Sequence, residues 1–414
     1  MKIYEGIRVL EISDEKAMYC GKLLAQAGME VIKIEPEGGD PLRWNAPFAG
    51  GVEDPDRSLF WIYHNTGKKS ITLDLDGPEG QKCFRKLVKS ADVVLESLKP
   101  GKMKEYGLSY EELKEINPKL VMCSISPFGQ DGPRASWNAA TDMIPFAMGG
   151  AMNEVGIPGF NHSPLLIGRN YTNNSTCIYA AVAILAYLRR VKVGGEGAYI
   201  DAAVVETAAA CRDEAMAPPQ LFPYVAGKKQ LGSAGPFPPG GGFPCKDGSV
   251  FVVAMALWGS VVDWCKEKGI DVTGLDGEEF RTKVNYNPHI EANKDAINDR
   301  ISQLCMMYTK AELHAEGMRR HIPITPIYSF EDVYNEPHFR DRGFFVEVDH
   351  PVAGKTMYPG APARLTRTPL ECQVPAPLFL LAIHLSQLAV GDHYEIVVHL
   401  SHDQEASSLI AACL

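Results

Sequence analysis

Six lysines, Lys33, Lys68, Lys69, Lys99, Lys102 and Lys104, fall near the predicted ends of strands or in neighbouring loops. Ammonium groups placed there, with backbone N–H groups beside them, suit a pyrophosphate or polyphosphate, although solvated surface lysines give the same pattern. Glu35 closes a strand, where dinucleotide folds place the acid that holds a ribose. The turn that should carry the glycine fingerprint is instead Ser13-Asp14-Glu15-Lys16, which speaks against a nicotinamide cofactor. Ten cysteines are scattered without a CxxC, which suits buried free thiols in a reducing compartment. His399 and His402 lie close together with no companion cluster, so no metal is expected.

The elements that must position these groups alternate. Strand-like runs are expected at Ile7–Ile12, Val31–Glu35, Ser70–Asp74, Ala91–Glu96 and Leu120–Ser126. Helical spacing separates them at 14–28, with Asp14 as N-cap and Gly28 as stop, and again at 77–90 and 109–116. Such alternation predicts an α/β fold with a Rossmann-like open parallel sheet and ligand sites at the strand C-termini. A Gly/Pro/Asn-rich stretch follows at 128–174, then an apolar helix at 176–191 and a strand at 198–205. Beyond Pro218 come a strand at 246–254, helices at 260–268, 294–305 and 310–321, a strand at 322–328 and a helix at 329–336. From Gly343 the chain is expected to be strand- and turn-rich, then helical at its end. The domain expectation is a large first part at 1–215, a smaller α+β domain with linkers at 216–345, and a return to the large domain at 346–414.

With 414 residues the chain is long enough for two or three domains, and 45% hydrophobic residues exclude a disordered or fibrous chain. A formal net charge of -10 argues against a general nucleic-acid binder. The apolar run at 178–188 is far short of the roughly 20 residues that span a bilayer, and the first residues lack the apolar core of a secretory signal. A soluble cytoplasmic protein is expected.

An ordered series of motifs narrows the function. VIKIEPEGGDPLR (31–43), NTGKKSITLDL (65–75), ADVVLESLKPGKMKEYGL (91–108) and SISPFGQDGP (124–133) are followed by IGRNYTNNSTCIYAA (167–181), GGEGAYIDAAVVE (194–206) and PFPPGGGFPCKDGSVFVV (236–253). In order and spacing the chain resembles the family III coenzyme A transferases, which include formyl-CoA, carnitine and benzylsuccinate CoA-transferases and are related to the alpha-methylacyl-CoA racemases. The resemblance implies a large Rossmann-like domain, a smaller inserted domain, and two chains interlocked like rings. It also implies CoA thioesters as substrates. CoA contacts are expected at Lys33, Asn65, Lys68, Lys69, Ser97, Leu98, Lys102 and Lys104, with Gly240, Gly241 and Gly242 as a loop covering the acyl site.

Family chemistry runs through an aspartate whose carboxylate attacks the acyl-CoA thioester. That aspartate stands about seven positions ahead of an Ala-Ala pair. Here the pair is Ala180-Ala181, and counting back reaches Asn173. A neutral amide with a delocalised nitrogen lone pair is no nucleophile, and it serves racemase acid/base chemistry no better. Asp142 matches a different acidic position and is a weak replacement candidate; an N-capping role accounts for it as well. Glu105 stands where the family often has an arginine near CoA phosphates.

Three readings follow. In the first, the chain is a non-nucleophilic subunit of a heteromeric CoA-transferase, paired with an Asp-bearing paralogous subunit and acting on substrates such as succinyl-CoA and an aromatic or alkyl succinate. In the second, it is a catalytically active homodimeric transferase using another residue. In the third, it binds CoA without catalysis. Met143, Phe146, Met148 and Met152 suit an apolar acyl pocket and suit a core equally well.

Overall fold

The structure, a computed structural model, describes residues 2–137, 141–153, 168, 170–210, 240–254, 257–281, 287–379, 383–390 and 393–398. The chain divides into two compact units. One takes its described residues from Met1–Met152, Leu165–Glu214 and Asp341–Leu414, the other from Asn153–Pro164 and Ala215–Arg340.

The first unit alternates from its start. It runs β1 (Arg8–Ile12), α1 (Met18–Gln26), β2 (Glu30–Glu35), α2 (Leu59–His64), β3 (Lys69–Thr72), α3 (Pro78–Val88), β4 (Val93–Glu96), α4 (Lys102–Glu105), α5 (Tyr110–Ile116) and β5 (Val121–Ser126). Next come α6 (Met143–Met148), α7 (Tyr171–Lys192), β6 (Ala198–Ala203) and α8 (Val204–Ala210). Six strands are parallel in the order β3-β2-β1-β4-β5-β6, the doubly wound arrangement that the alternation predicts. Both faces are covered. Leu10, Ile32, Val94 and Met122 pack with Phe84, Leu87 and Leu113 on one face. Val9, Val31, Val93 and Val121 pack with Leu24, Cys177 and Ile184 on the other. Each fully buried Leu, Ile or Phe contributes roughly 1.5–3 kcal/mol, so burial on two faces explains why these strands read as largely apolar runs.

Two helix starts differ from expectation for local reasons. Helix α1 begins at Met18, preceded by a turn that Asp14 opens, its carboxylate accepting the Lys16 N–H at 3.0 Å and its carbonyl the Met18 N–H at 3.1 Å. Helix α7 begins at Tyr171, five residues before the expected Thr176. Asn170 adopts a left-handed φ of 61°, and its carbonyl accepts the Asn174 N–H at 2.9 Å.

The second unit holds an antiparallel sheet of β7 (Gly240–Cys245), β8 (Gly248–Val253) and, from further along the chain, β9 (Ile324–Ile327). Between β8 and β9 lie α9 (Trp258–Glu267), α10 (Pro288–Ala292), α11 (Lys294–Cys305) and α12 (Lys310–Arg320). Their core gathers Val250, Val252, Trp258, Trp264, Ile297, Ile301 and Leu313. After α13 (Phe330–Asn335) and α14 (Pro337–Asp341), the first unit resumes with the hairpin β10 (Phe345–His350) and β11 (Gly354–Pro359). Strands β12 (Ile383–Val390) and β13 (His393–Val398) extend the large sheet beside β3, β12 being parallel to it. The expected terminal helix is therefore strand over these residues, and its remainder lies outside the described residues. Among the described residues no helix is long and apolar enough to cross a membrane.

A buried ionic network runs under α1 and α2. The Arg43 guanidinium, 1% exposed, donates twice to Glu35 at 2.8 Å and once to Asp56 at 2.9 Å, and lies 4.0 Å from the centre of the Trp61 ring. Replacing Arg43 by Ala strands two interior carboxylates. The expected loss is about 3–5 kcal/mol, read as a lower midpoint in urea denaturation; a variant as stable as the parent contradicts this role.

Candidate active site

The order of the parallel strands reverses between β1 and β4, and open α/β sheets bind ligands outside the strand C-termini at that point. The two loops leaving it are tied together. Ser97 donates its N–H to the Ile12 carbonyl at 3.0 Å and its hydroxyl to Asp14 Oδ1 at 2.8 Å, and its Oγ accepts the Asp14 N–H at 2.9 Å. Leu98 donates its N–H to Glu96 Oε2 at 2.7 Å. Ser97 and Leu98 are thus brought to the crevice in a fixed turn.

Lys33 and Lys68 are placed in the interior. Lys33 is fully buried, 3.0 Å from Asp40 and 3.8 Å from Glu11, and donates to the Ser13 carbonyl at 2.6 Å. Burial alone would lower its ammonium pKa, but Asp40, Glu11 and Glu35 outweigh it and the net shift is upward. Lys68 donates to Glu11 at 2.8 Å and to the Met18 carbonyl at 2.9 Å. Burial lowers it to about 8, against the pull of Glu11. Gly21 is required here, since a Cβ would lie 1.7 Å from Glu11 Oε2. Both ammonium groups are committed to protein carboxylates. Lys69 opens β3, at the N-terminal edge of the sheet and away from the crevice, and pairs with Glu30 at 3.1 Å. Asn65 caps the end of α2, with Nδ2 on the Trp61 carbonyl at 3.1 Å and a buried Oδ1 that has no partner among the described residues.

Lys102 and Lys104 lie on α4, directly after the crevice turn. Lys102 is 3.3 Å from Glu105 and 3.4 Å from Asp76, so Glu105 neutralises a neighbouring cation as well as adding a negative charge.

Asn173 occupies the first turn of α7, buried, with Nδ2 3.5 Å from Asn170 Oδ1. Among the described residues no side chain caps the helix, and the buried Asn170 Nδ2 and Thr172 Oγ1 have no hydrogen-bond partner. This end of α7 presents the amide groups of Asn170 and Asn173. Cys177, one turn on, is no nucleophile: burial pushes its thiol up to about 12. Asp142 is buried at the start of α6, and its carbonyl accepts the Phe146 N–H at 3.0 Å. Phe146 is core, whereas Met143 and Met148 are exposed. Gly240, Gly241 and Gly242 form the beginning of β7, opposite Val253, Val252 and Phe251 of β8.

One charged residue at the crevice escaped the sequence reading. Glu96 ends β4 as Glu35 ends β2, an acid closing an apolar run, and that was its available signal.

The fold and crevice define a Rossmann-like α/β protein with its ligand region at the β1/β4 switch point. Residues 4–379 match CoA-transferase family III, and the chain belongs to that family. A succinate–glutarate CoA-transferase of Agrobacterium fabrum is 35% identical, over 90% of this chain and 92% of that protein. The succinyl-CoA:(R)-benzylsuccinate CoA-transferase subunit BbsE of Thauera aromatica is 28% identical, over 87% of each. The crystal structure of a CAIB/BAIF family protein from Brucella suis superposes with a TM-score of 0.77 at 28% identity, covering 91% of this chain and 96% of that one.

Ser97→Ala removes both side-chain bonds that join the crevice loops. Its expected cost is about 1–2 kcal/mol, together with faster hydrogen exchange at Asp14; unchanged exchange there would show that these bonds do not hold the loops.

Proposed function

We propose that this chain is the non-nucleophilic subunit of a CoA-transferase that moves CoA between carboxylic acids, from succinyl-CoA to an aromatic or alkyl succinate. The observation that carries the reading is Asn173, a buried amide hydrogen-bonded to another amide at the N-terminus of α7. The match of residues 4–379 to the family and the named subunit among the relatives support it.

The step needs an anionic oxygen. A carboxylate attacks the thioester carbonyl, the C–S bond breaks, and a mixed anhydride and CoA thiolate result. The thiolate then attacks the enzyme carbonyl of the anhydride, releasing the first acid and leaving an enzyme-bound CoA thioester for the second acid to take. A paralogous chain supplies that aspartate. This chain supplies the fold, the interface of an interlocked pair, and CoA contacts at Ser97, Leu98, Lys102 and Lys104. An apolar stripe on α7, with Ile178 at 51%, Tyr179 at 55% and Val182 at 62% exposure, supports a pairing surface. Eight free cysteines among the described residues, seven of them buried, support a reducing, cytoplasmic setting.

Purified alone, the chain should show no exchange between succinyl-CoA and benzylsuccinate. Mixed with an Asp-bearing paralogue it should form a complex whose turnover disappears with the partner's aspartate. Turnover of about 1 s⁻¹ or more by the chain alone, an ordinary enzyme rate, refutes the reading and directs attention to Asp142. An Asn173→Asp variant that forms a CoA thioester on the new side chain, detected by mass spectrometry, fixes the register independently.

Glu105→Arg removes a carboxylate beside Lys102 and adds a cation next to Lys104. CoA affinity, measured by calorimetry, should rise several-fold at low salt and less at high salt. No gain at low salt would remove α4 from the CoA contacts.

A further inference from the structure

Glu96 is 2% exposed at the end of β4. In the sheet register it stands beside Ile12 of β1 and Ser124 of β5, with Asp201 of β6 next in the same row. Its Oε2 accepts the Leu98 N–H at 2.7 Å, the length of a charge-assisted bond to a carboxylate. From the other side Ser124 hydrogen-bonds the same carboxyl. The Tyr199 hydroxyl, 3.0 Å from Ser124 Oγ, donates to it, which leaves the single Ser124 proton for Glu96. The carboxyl therefore receives two donors, one of them the backbone of the crevice turn.

The charged groups around it are Asp14 and Lys16 from the segment after β1 and Asp201 from β6. Tyr199 and Cys123 are held neutral, burial pushing the phenol up to about 12 and raising the thiol further. Burial raises the Glu96 carboxyl to about 7, against the Ser124 and Leu98 hydrogen bonds and Lys16, with Asp14 adding to the rise. Protonation turns one carboxyl oxygen into a donor and removes the negative charge, so the Leu98 N–H bond loses its charge assistance and is weakened.

We propose that Glu96 is a positioning residue for CoA: as a carboxylate it holds the Leu98 amide, and with it the segment that carries Ser97, Lys102 and Lys104, in its binding shape, and as a neutral acid it releases them. The inference rests on the CoA contacts proposed above, and its test separates the two.

Calorimetric titration of CoA into the full chain at pH 6 to 8 is the first measurement. The carboxylate fraction of a group titrating near 7 falls from about nine-tenths at pH 8 to one-tenth at pH 6, so binding should be about tenfold weaker at pH 6. The 3′-phosphate of CoA titrates near pH 6 as well, so the readout is the difference between the parent and Glu96→Gln. The Gln variant should keep only the phosphate's slope. Ser124→Ala, which removes a donor to the carboxylate, should move the midpoint to higher pH. The second measurement needs no CoA: the hydrogen-exchange protection factor of the Leu98 amide should rise through pH 7 in the parent and stay flat in Glu96→Gln. Identical pH profiles in parent and Gln variant, or a flat Leu98 profile in the parent, overturn the proposal. If CoA binds at no pH while Leu98 protection follows Glu96, the CoA contacts fail and the positioning of the turn stands. A carboxyl raised above its ordinary 4.5 loses stability for the fold as pH climbs toward 7. Glu96→Gln should therefore melt no lower than the parent at pH 8, and a lower melt would mark a purely structural role.

Discussion

The architecture depends on charge carried into the interior of a parallel sheet. Glu11 of β1, Lys33 of β2 and Ser70 of β3 lie side by side in the strand register on the face covered by α1. Lys68 reaches back to Glu11, and Glu35, two residues beyond Lys33, holds Arg43, which in turn holds Asp56. Desolvating so many ions is costly unless each meets its counter-charge in good geometry. The consequence is selection among arrangements: a one-residue slip of β2 would turn Lys33 and Glu35 to the opposite face and leave Glu11 only Lys68 and Arg43 only Asp56. Apolar packing alone would tolerate several pairings of such similar strands.

This constraint reaches the crevice through one residue. Ser13 follows β1, its hydroxyl donates to Glu11 at 2.5 Å, and its carbonyl takes the Lys33 ammonium. The next residue, Asp14, is bound to Ser97. The interior network therefore fixes the β1 side of the switch point, and the Asp14–Ser97 bonds transmit that placement to the β4 side. On the opposite face of the sheet a second polar row, Glu96, Ser124 and Asp201, lies under the same edge. The two rows differ in character. In the first, lysines and an arginine are paired with carboxylates, while the second is a cluster of acids with hydroxyl partners whose carboxyl pKa values are raised by burial.

The large sheet was legible because parallel strands buried on both faces are largely apolar, and the segments near residues 8–12, 30–35, 93–96 and 121–126 are mostly apolar, broken only by single polar residues such as Glu11, Lys33 and Ser124. The start of α7 was not legible. Thr-Asn-Asn-Ser-Thr reads as loop, since these side chains compete for backbone hydrogen bonds, and only the left-handed Asn170 and the burial of Thr172 and Asn173 make it helix. The burial of Lys33 and Lys68 was equally hidden. A lysine near a strand end signals an exposed cation unless its carboxylate partners are known, and those partners come from β1 and from the segment after β2. Glycines 240–242 carry no side-chain pattern, so nothing in them announces a strand paired to β8.

Asn173 and Glu96 contrast in how their polar groups are met. At α7 the Asn173 amide meets a neighbouring amide at the long distance of 3.5 Å, and among the described residues the buried Asn170 Nδ2 and Thr172 Oγ1 have no hydrogen-bond partner. At β4 a buried carboxyl is held by a short backbone bond and a two-hydroxyl chain. Burial disfavours the charge of Glu96, and a glutamine there would relieve that cost, so the Leu98 and Ser124 hydrogen bonds are what favour its carboxylate. The crevice turn is thus tied to a carboxyl whose charge depends on two donors, whereas Asn173 at the start of α7 offers a neutral amide.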